Sequence, residues 1–368
     1  MRIKKLKNIE WWVLICAVIL CIIGCIALFS ATQESNYDEF KKQIIWIIVS
    51  IIVMVIVMFI DYEVLVKISP ILYGVFIVSL IGVLFTEPIN GARSWIDFGF
   101  ISFQPGEFAK IFVVMFLAYI ISKIQERGRE EINKPLKLLA VLSAVSLPII
   151  LIMLEPDFGT AAAYIISLVC MLFVSGLDKR YIITAILILV ILVPIMYLYI
   201  LPGHAKTRID VFLNPESDAR GSGYNIIQSK LAIGAGQLTG MGVLKGNQTQ
   251  LGFLYPKTTD FIYSVIGEEM GFIVAGGIII LYVVLITKAL YIAKTAKDNI
   301  GAYLATGIAG IFLFHMVENI GMTIGLLPIT GVPLLFVSYG GSSLITSFIA
   351  IGLLLNISGK RQKTIFVK

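Results

Sequence analysis

The chain has 368 residues, 58% of them apolar or aromatic (AVILMFWYC), with a mean hydropathy of +0.94. Only 14% are charged, against about 25% in soluble domains, which excludes a soluble enzyme, a DNA-binding domain and a disordered scaffold and leaves a polytopic membrane protein. The net charge of +6, from 29 Lys+Arg and 23 Asp+Glu, tracks the loops between apolar runs and is no nucleic-acid signature.

A spanning helix needs about 20 apolar residues. Ten segments qualify: 11–31, 44–60, 68–86, 106–122, 138–154, 160–177, 181–201, 260–287, 302–326 and 334–357. The first follows a basic Met1–Lys7 stretch, but its apolar core is longer than that of a signal peptide, so it reads as a retained anchor. With the N-terminus inside, the cytoplasmic segments hold 19 Lys+Arg and the outer loops 9, six of them in the single loop 202–259. This predicts an all-α fold of ten transmembrane helices in one membrane domain over 1–368. Both termini are cytoplasmic, and the large extracellular loop lies between helices seven and eight. A 58-residue loop is uncommon unless functional. Residues 224–231 are amphipathic and predict a helix near the membrane surface, followed by glycines at 234, 236, 240, 242 and 246. A folded or re-entrant segment shaping an extracellular cavity is expected there rather than a flexible connector.

Ionisable residues within apolar spans are expensive and single out functional candidates. Glu107 and Lys110 are spaced i, i+3 on one helix face, as a functional pair or a self-neutralising structural one. Glu155-Pro156-Asp157 ends the fifth helix at the outer face, where two acids suit a cation or a sugar hydroxyl; an ordinary solvated loop is the plain alternative. Thr259 and Asp260 stand where the eighth helix begins and, on position alone, read first as N-cap residues. Glu268 and Glu269 lie two turns further in, and His315 and Glu318 share a face of the ninth helix, where they are expected to pair. Gly340-Gly341-Ser342-Ser343 opens the tenth helix with residues small enough for close packing. Four cysteines lie inside apolar runs, His204 and His315 are far apart, and no phosphate-binding Gly-rich loop with Lys appears. Disulfides, a His-rich metal site and ATP-driven transport are therefore unsupported.

The ordered set of motifs resembles the SEDS family (shape, elongation, division, sporulation), whose members include RodA, FtsW and SpoVE. The stretches are Gly91-Ala92-Arg93-Ser94-Trp95-Ile96, Phe103-Gln104-Pro105-Gly106-Glu107-Phe108-Ala109-Lys110, Glu155-Pro156-Asp157-Phe158-Gly159-Thr160 and Gly223–Ser229. They continue with Thr259-Asp260-Phe261-Ile262 through Glu269, and Pro333 through Ser343. The resemblance covers nearly the whole chain. It implies a peptidoglycan glycosyltransferase that polymerises lipid II with its active site facing outward. It also implies a class B penicillin-binding protein as partner, met through the outer faces of helices eight and nine, and other elongation-machinery proteins. Asp260 then takes the place of the family's essential aspartate, and Arg93, Gln104, Glu107, Lys110 and Asp157 those of cavity-lining residues, with Gln228 and Gln248 as further candidates. Thr330-Gly331-Val332-Pro333 and Phe212–Asp218 look more like the elongation type than the division or sporulation types. The acid and histidine that usually precede the Thr-Asp motif are absent from Pro256-Lys257-Thr258-Thr259-Asp260.

The mechanism expected from these residues has Asp260 as general base on the acceptor sugar hydroxyl. Arg93, Lys110 and Lys245 are the cations for the leaving pyrophosphate, with a divalent cation, Mg or Mn, as a further candidate. A lipid II flippase or another lipid-linked transporter is the competing class. It is disfavoured because no motif repeats between the two halves and the motif residues cluster toward the outer side. A pure scaffold leaves Glu107 and Lys110 without a reason.

Overall fold

The computed structural model describes residues 8–87, 93–97, 99, 102–200, 203–218 and 221–361. Its elements, in chain order, are α1 (Trp11–Ala31), α2 (Asp38–Phe59), α3 (Tyr62–Val83), β1 (Ile96–Asp97), β2 (Ser102–Phe103), α4 (Pro105–Ile124), α5 (Pro135–Leu154) and α6 (Phe158–Ser175). They continue with α7 (Lys179–Ile195), α8 (Gly203–Leu213), α9 (Ser222–Ala235), α10 (Asn247–Gln250), α11 (Ile262–Thr295), α12 (Asn299–Thr323) and α13 (Gly341–Gly359). Short helical turns fill several of the junctions, and among the described residues the one strand pair, β1 with β2, is an antiparallel ribbon pairing Ile96 with Phe103.

Among the described residues nine helices are long and apolar enough to cross a membrane. The remaining expected span, 106–122, falls within the helix α4, which is not among these nine and carries Glu107 and Lys110 buried on one face. Helix ends differ from the apolar windows where a wet turn extends them. α2 begins at Asp38, with Asp38 and Glu39 at the end whose dipole favours acids. The last helix begins at Gly341 rather than 334, because 334–340 leaves the helical path to pack against the end of the 202–259 loop.

Glycine lets the central helices approach at backbone distance. A Cβ on Gly307 of α12 would stand 2.5 Å from Val114 of α4 and 2.8 Å from Met171 of α6, and Ser167 Oγ donates to Gly307 O at 2.9 Å. Likewise a Cβ on Gly341 would sit 2.5 Å from the Trp46 ring, so the small opening of α13 does seat it against α2. At one end, Glu10 pairs with Lys288 (3.0 Å) and Arg361 (3.3 Å), and Lys360 with Asp61 (3.0 Å), tying the first and last helices together.

The segment expected to be more than a flexible connector is folded, and its seat is a break in α11. At Gly271 the backbone turns to φ 76°, ψ 179°, which ends one short helix and starts the long one. The groups freed there are taken by the loop. Met241 N donates to Glu268 O (2.9 Å), Gly242 N to Glu269 O (2.9 Å), Phe272 N to Gln237 O (2.9 Å) and Ile273 N to Leu238 O (3.2 Å). Irregular backbone inside a membrane protein survives only when such partners are supplied.

Candidate active site

The site is built on three chain segments that meet at one end of α4, α6 and α11. Pro105 occupies the first turn of α4, where its missing N–H costs nothing, and Gln104 precedes it. Gln104 N donates to Ser342 Oγ at 3.2 Å and its Nε2 to Asp157 Oδ2 at 3.4 Å. Asp157 caps α6, its Oδ1 accepting from Thr160 N at 2.9 Å. One of the two acids expected to suit a cation or a sugar hydroxyl is thus partly committed to a helix end. Burial raises the Asp157 carboxyl above its ordinary range. Glu155 is 1% exposed, and burial together with the Asp157 charge pushes it up to about 8.

Asp260 does not cap. The residue before α11 is Phe261, with no side-chain cap bond. Instead three successive carbonyls are fixed from outside: Thr258 O accepts from Tyr339 N (2.9 Å), Thr259 O from Ser338 Oγ (2.7 Å) and Asp260 O from Asn319 Nδ2 (2.9 Å). The carboxylate is left half-buried and pointed at Gly331, where a Cβ would lie 3.5 Å from Oδ2. Burial pushes Asp260 up to about 6, opposed by a hydrogen bond from Thr259 and the Arg208 charge and reinforced by Asp157. The 330–332 stretch touches both acids' segments, since a Cβ on Gly159 would stand 2.3 Å from Val332 and 3.2 Å from Thr330.

Glu107 and Lys110 form an ion pair of 2.7 Å, each 2% exposed. Lys110 Nζ also lies 2.8 Å from His315 Nε2, and His315 Nδ1 lies 2.9 Å from Pro333 O. The expected His315–Glu318 pairing is therefore not made: Glu318 accepts from Thr330 Oγ1 at 2.7 Å, and His315 turns toward α4. The cavity beside the pair, about 10 Å³, is at the limit for one water and far too small for a sugar.

The other sequence candidates are dispersed. Arg93 is exposed and donates to Leu84 O at 3.2 Å. Gln228 is half-buried on α9 and Lys245 is exposed. Gln248 follows the loop, its main-chain N donating to Glu268 Oε1 at 2.7 Å. Glu268 also accepts from Thr249 N (3.0 Å) and Thr249 Oγ1 (2.7 Å), and Glu269 from Ser30 Oγ (2.7 Å) and Gln250 Nε2 (3.0 Å). These two buried acids pin α10 to α11. Arg208, on α8, was one basic residue among six in the loop, and Asn319 carried no signal at all. Among the described residues no three His, Cys, Asp or Glu side chains group closely enough to hold a metal by themselves.

The FtsW/RodA/SpoVE family model, described as cell cycle protein, matches residues 10–363. The peptidoglycan glycosyltransferase MrdB of Escherichia coli K12 is 35% identical over 345 residues, 93% of this chain and 91% of that protein. The peptidoglycan glycosyltransferase RodA of Treponema pallidum is 32% identical, covering 98% and 100%, and stage V sporulation protein E of Bacillus subtilis is 34% identical, covering 94% and 95%. A solved chain from a peptidoglycan synthase complex that coordinates polymerisation and crosslinking superposes with a TM-score of 0.83 at 26% identity over 96% of this chain and 99% of that one. The motifs, the helical membrane architecture and these matches agree: this chain belongs to the FtsW/RodA/SpoVE, or SEDS, family.

Proposed function

We propose that this protein polymerises lipid II, an undecaprenyl-pyrophosphate-linked disaccharide peptide, into β-1,4 glycan strands at the outer face of the cell membrane during elongation. The coarser statement, a peptidoglycan glycosyltransferase, rests on its relatives. One observation carries the finer reading: the half-buried Asp260 carboxylate, not used as a cap, pushed up to about 6 and facing the point where three segments meet. An acid raised to that range is ionised at neutral pH yet basic enough to take a proton.

In this reading Asp260 removes the proton of the acceptor sugar hydroxyl as its oxygen bonds to the donor's anomeric carbon. The carbon–oxygen bond to pyrophosphate breaks on the opposite face, its electron pair leaves with the phosphate, and the centre inverts. Charge then grows on the pyrophosphate, and preorganised cations stabilise it. Arg208 and the exposed Arg93 and Lys245 serve there, with Gln104, Asp157, Gln228 and Gln248 holding the sugars. Asp157 would hold a divalent cation, Mg or Mn, together with phosphate oxygens, the way such ions use one or two carboxylates plus substrate; the ion would neutralise leaving-group charge. A groove of about 370 Å³ between α11 and α12, lined by Ile279, Met316, Val317, Ile320 and Leu326, is apolar throughout and is our choice for the contact with a class B penicillin-binding protein.

Purified protein with its transpeptidase partner, given fluorescent lipid II in detergent, is expected to form strands. Detergent has no two compartments, so a flippase yields no product, and a strand-free reaction would overturn the proposal.

A further inference from the structure

We infer that His315 and Asn319 are positioning residues, a two-point clamp that fixes the Asp260 peptide, and that Lys110 acts through this clamp rather than on the substrate. The inference rests on the reading of Asp260 as the base.

The two residues are spaced i, i+4 and share one face of α12. Asn319 is fully buried, and its Nδ2 donates to Asp260 O at 2.9 Å and to Val332 O at 2.8 Å. Both neighbours are carbonyl oxygens, which only accept, so the amide's orientation is fixed by its surroundings. The same side chain leaves its Oδ1 buried without a partner. Such a group weakens folding, and here it accompanies a contact that joins the Asp260 peptide to the 330–333 stretch.

One turn earlier, His315 holds the next carbonyl of that stretch. Lys110 Nζ at 2.8 Å can only donate, so Nε2 must be the acceptor; Pro333 O at 2.9 Å can only accept, so Nδ1 must carry the proton. The two constraints agree on one neutral tautomer. Lys110, held at 2.7 Å by Glu107, thereby selects the ring state that grips Pro333. The stretch so gripped is the one whose Gly331 faces the Asp260 carboxylate. With 2% exposure and space for one water beside them, Glu107 and Lys110 are sealed from a sugar or a pyrophosphate in this arrangement.

The test uses the full chain with its transpeptidase partner and two readouts. Hydrogen exchange of peptides covering 256–262 and 330–339 is expected to quicken about tenfold in Asn319→Leu, the loss of two hydrogen bonds, with helices α2 and α3 unchanged. In strand synthesis from lipid II, Asn319→Leu is expected to lower kcat toward the roughly 100-fold that a misplacement of about 1 Å costs, with KM unchanged. His315→Gln, which can still accept from Lys110 and donate to Pro333, is expected to retain more activity than His315→Leu. Unchanged exchange in the two peptides, loosening spread equally over the bundle, or a rise in KM with kcat intact would overturn the clamp. If the native protein makes no strands, the function fails while the exchange data still decide the clamp.

Discussion

Asp157 and Asp260 both stand just before a helix, and the fold uses them in opposite ways. Thr160 N occupies an oxygen of Asp157, whereas Asp260 keeps its carboxylate while its own carbonyl is tied to Asn319. Residue preference alone assigns a cap to either, since cap formers are recognised by type and not by what the neighbouring chain supplies. The consequence is a pH dependence. Lowering the pH through about 6 protonates Asp260 and so removes the proposed base, and kcat/KM for strand synthesis is expected to fall tenfold per unit below that point. A limb near 4, the ordinary carboxylate value, would contradict the burial seen here. Glu155 gives a separate test. Its carboxyl is pushed up to about 8, so between the ordinary range and pH 8 the folded chain keeps a proton that the unfolded chain has released. Stability is therefore lost as pH rises through that window. Glu155→Gln is expected to melt with the native protein at pH about 4 and above it beyond pH about 8; equal melting at both would contradict the assignment. Of the site, the sequence motifs bring out Asp260, Asp157 and Gln104, which do converge. Asn319 and the Lys110–His315 contact stayed hidden because each joins residues far apart in the chain through packing alone.

The break in α11 explains why glycines of the 202–259 loop such as Gly236 and Gly240 fall where they do. The sequence predicts one continuous span from 260 to 287, because a helix interrupted at Gly271 has the same apolar composition as an intact one. What exposes the break is the loop that fills it. A Cβ on Gly236 would sit 1.8 Å from Gly267 O and one on Gly240 2.2 Å from Glu269 O, whereas Gly234, on α9, has nothing within 4 Å. These neighbours make opposite predictions. Gly236→Ala is expected to lower the melting temperature by the equivalent of about 1–3 kcal/mol, as overpacking against backbone does. Gly234→Ala, in open space within a helix, is expected to raise it by up to about 1 kcal/mol. Equal effects from the two would mean that the loop does not seat in the break. The helices themselves were legible from apolar length, and the amphipathic stretch at 224–231 does lie inside α9.

At the scale of the whole molecule, charge placement and architecture have to agree on direction. By the positive-inside rule, the distribution of Lys and Arg is that expected of a chain with both termini inside and the 202–259 loop outside. Asp260, Asp157 and Arg208 belong to the same end as that loop, and the ion pairs of Glu10 with Lys288 and Arg361 and of Lys360 with Asp61 to the end where α1 begins and α13 finishes. In a variant lacking its four native cysteines, a cysteine at Lys245 is expected to react with a membrane-impermeant thiol reagent in intact cells; labelling only after lysis would reverse the topology. α4 is not among the nine helices marked by apolar length, and it carries Glu107, Lys110 and Lys123 among its apolar residues.

The role proposed for Asp260 is chemical rather than structural. The most direct test compares native protein with Asp260→Asn, which keeps size and packing, in strand synthesis from purified lipid II with the transpeptidase partner present. A folded variant slower by about 10²–10⁴-fold, with lipid II binding retained, is the predicted result. Strand synthesis at the native rate would contradict it and reduce Asp260 to a structural residue of the α11 entrance.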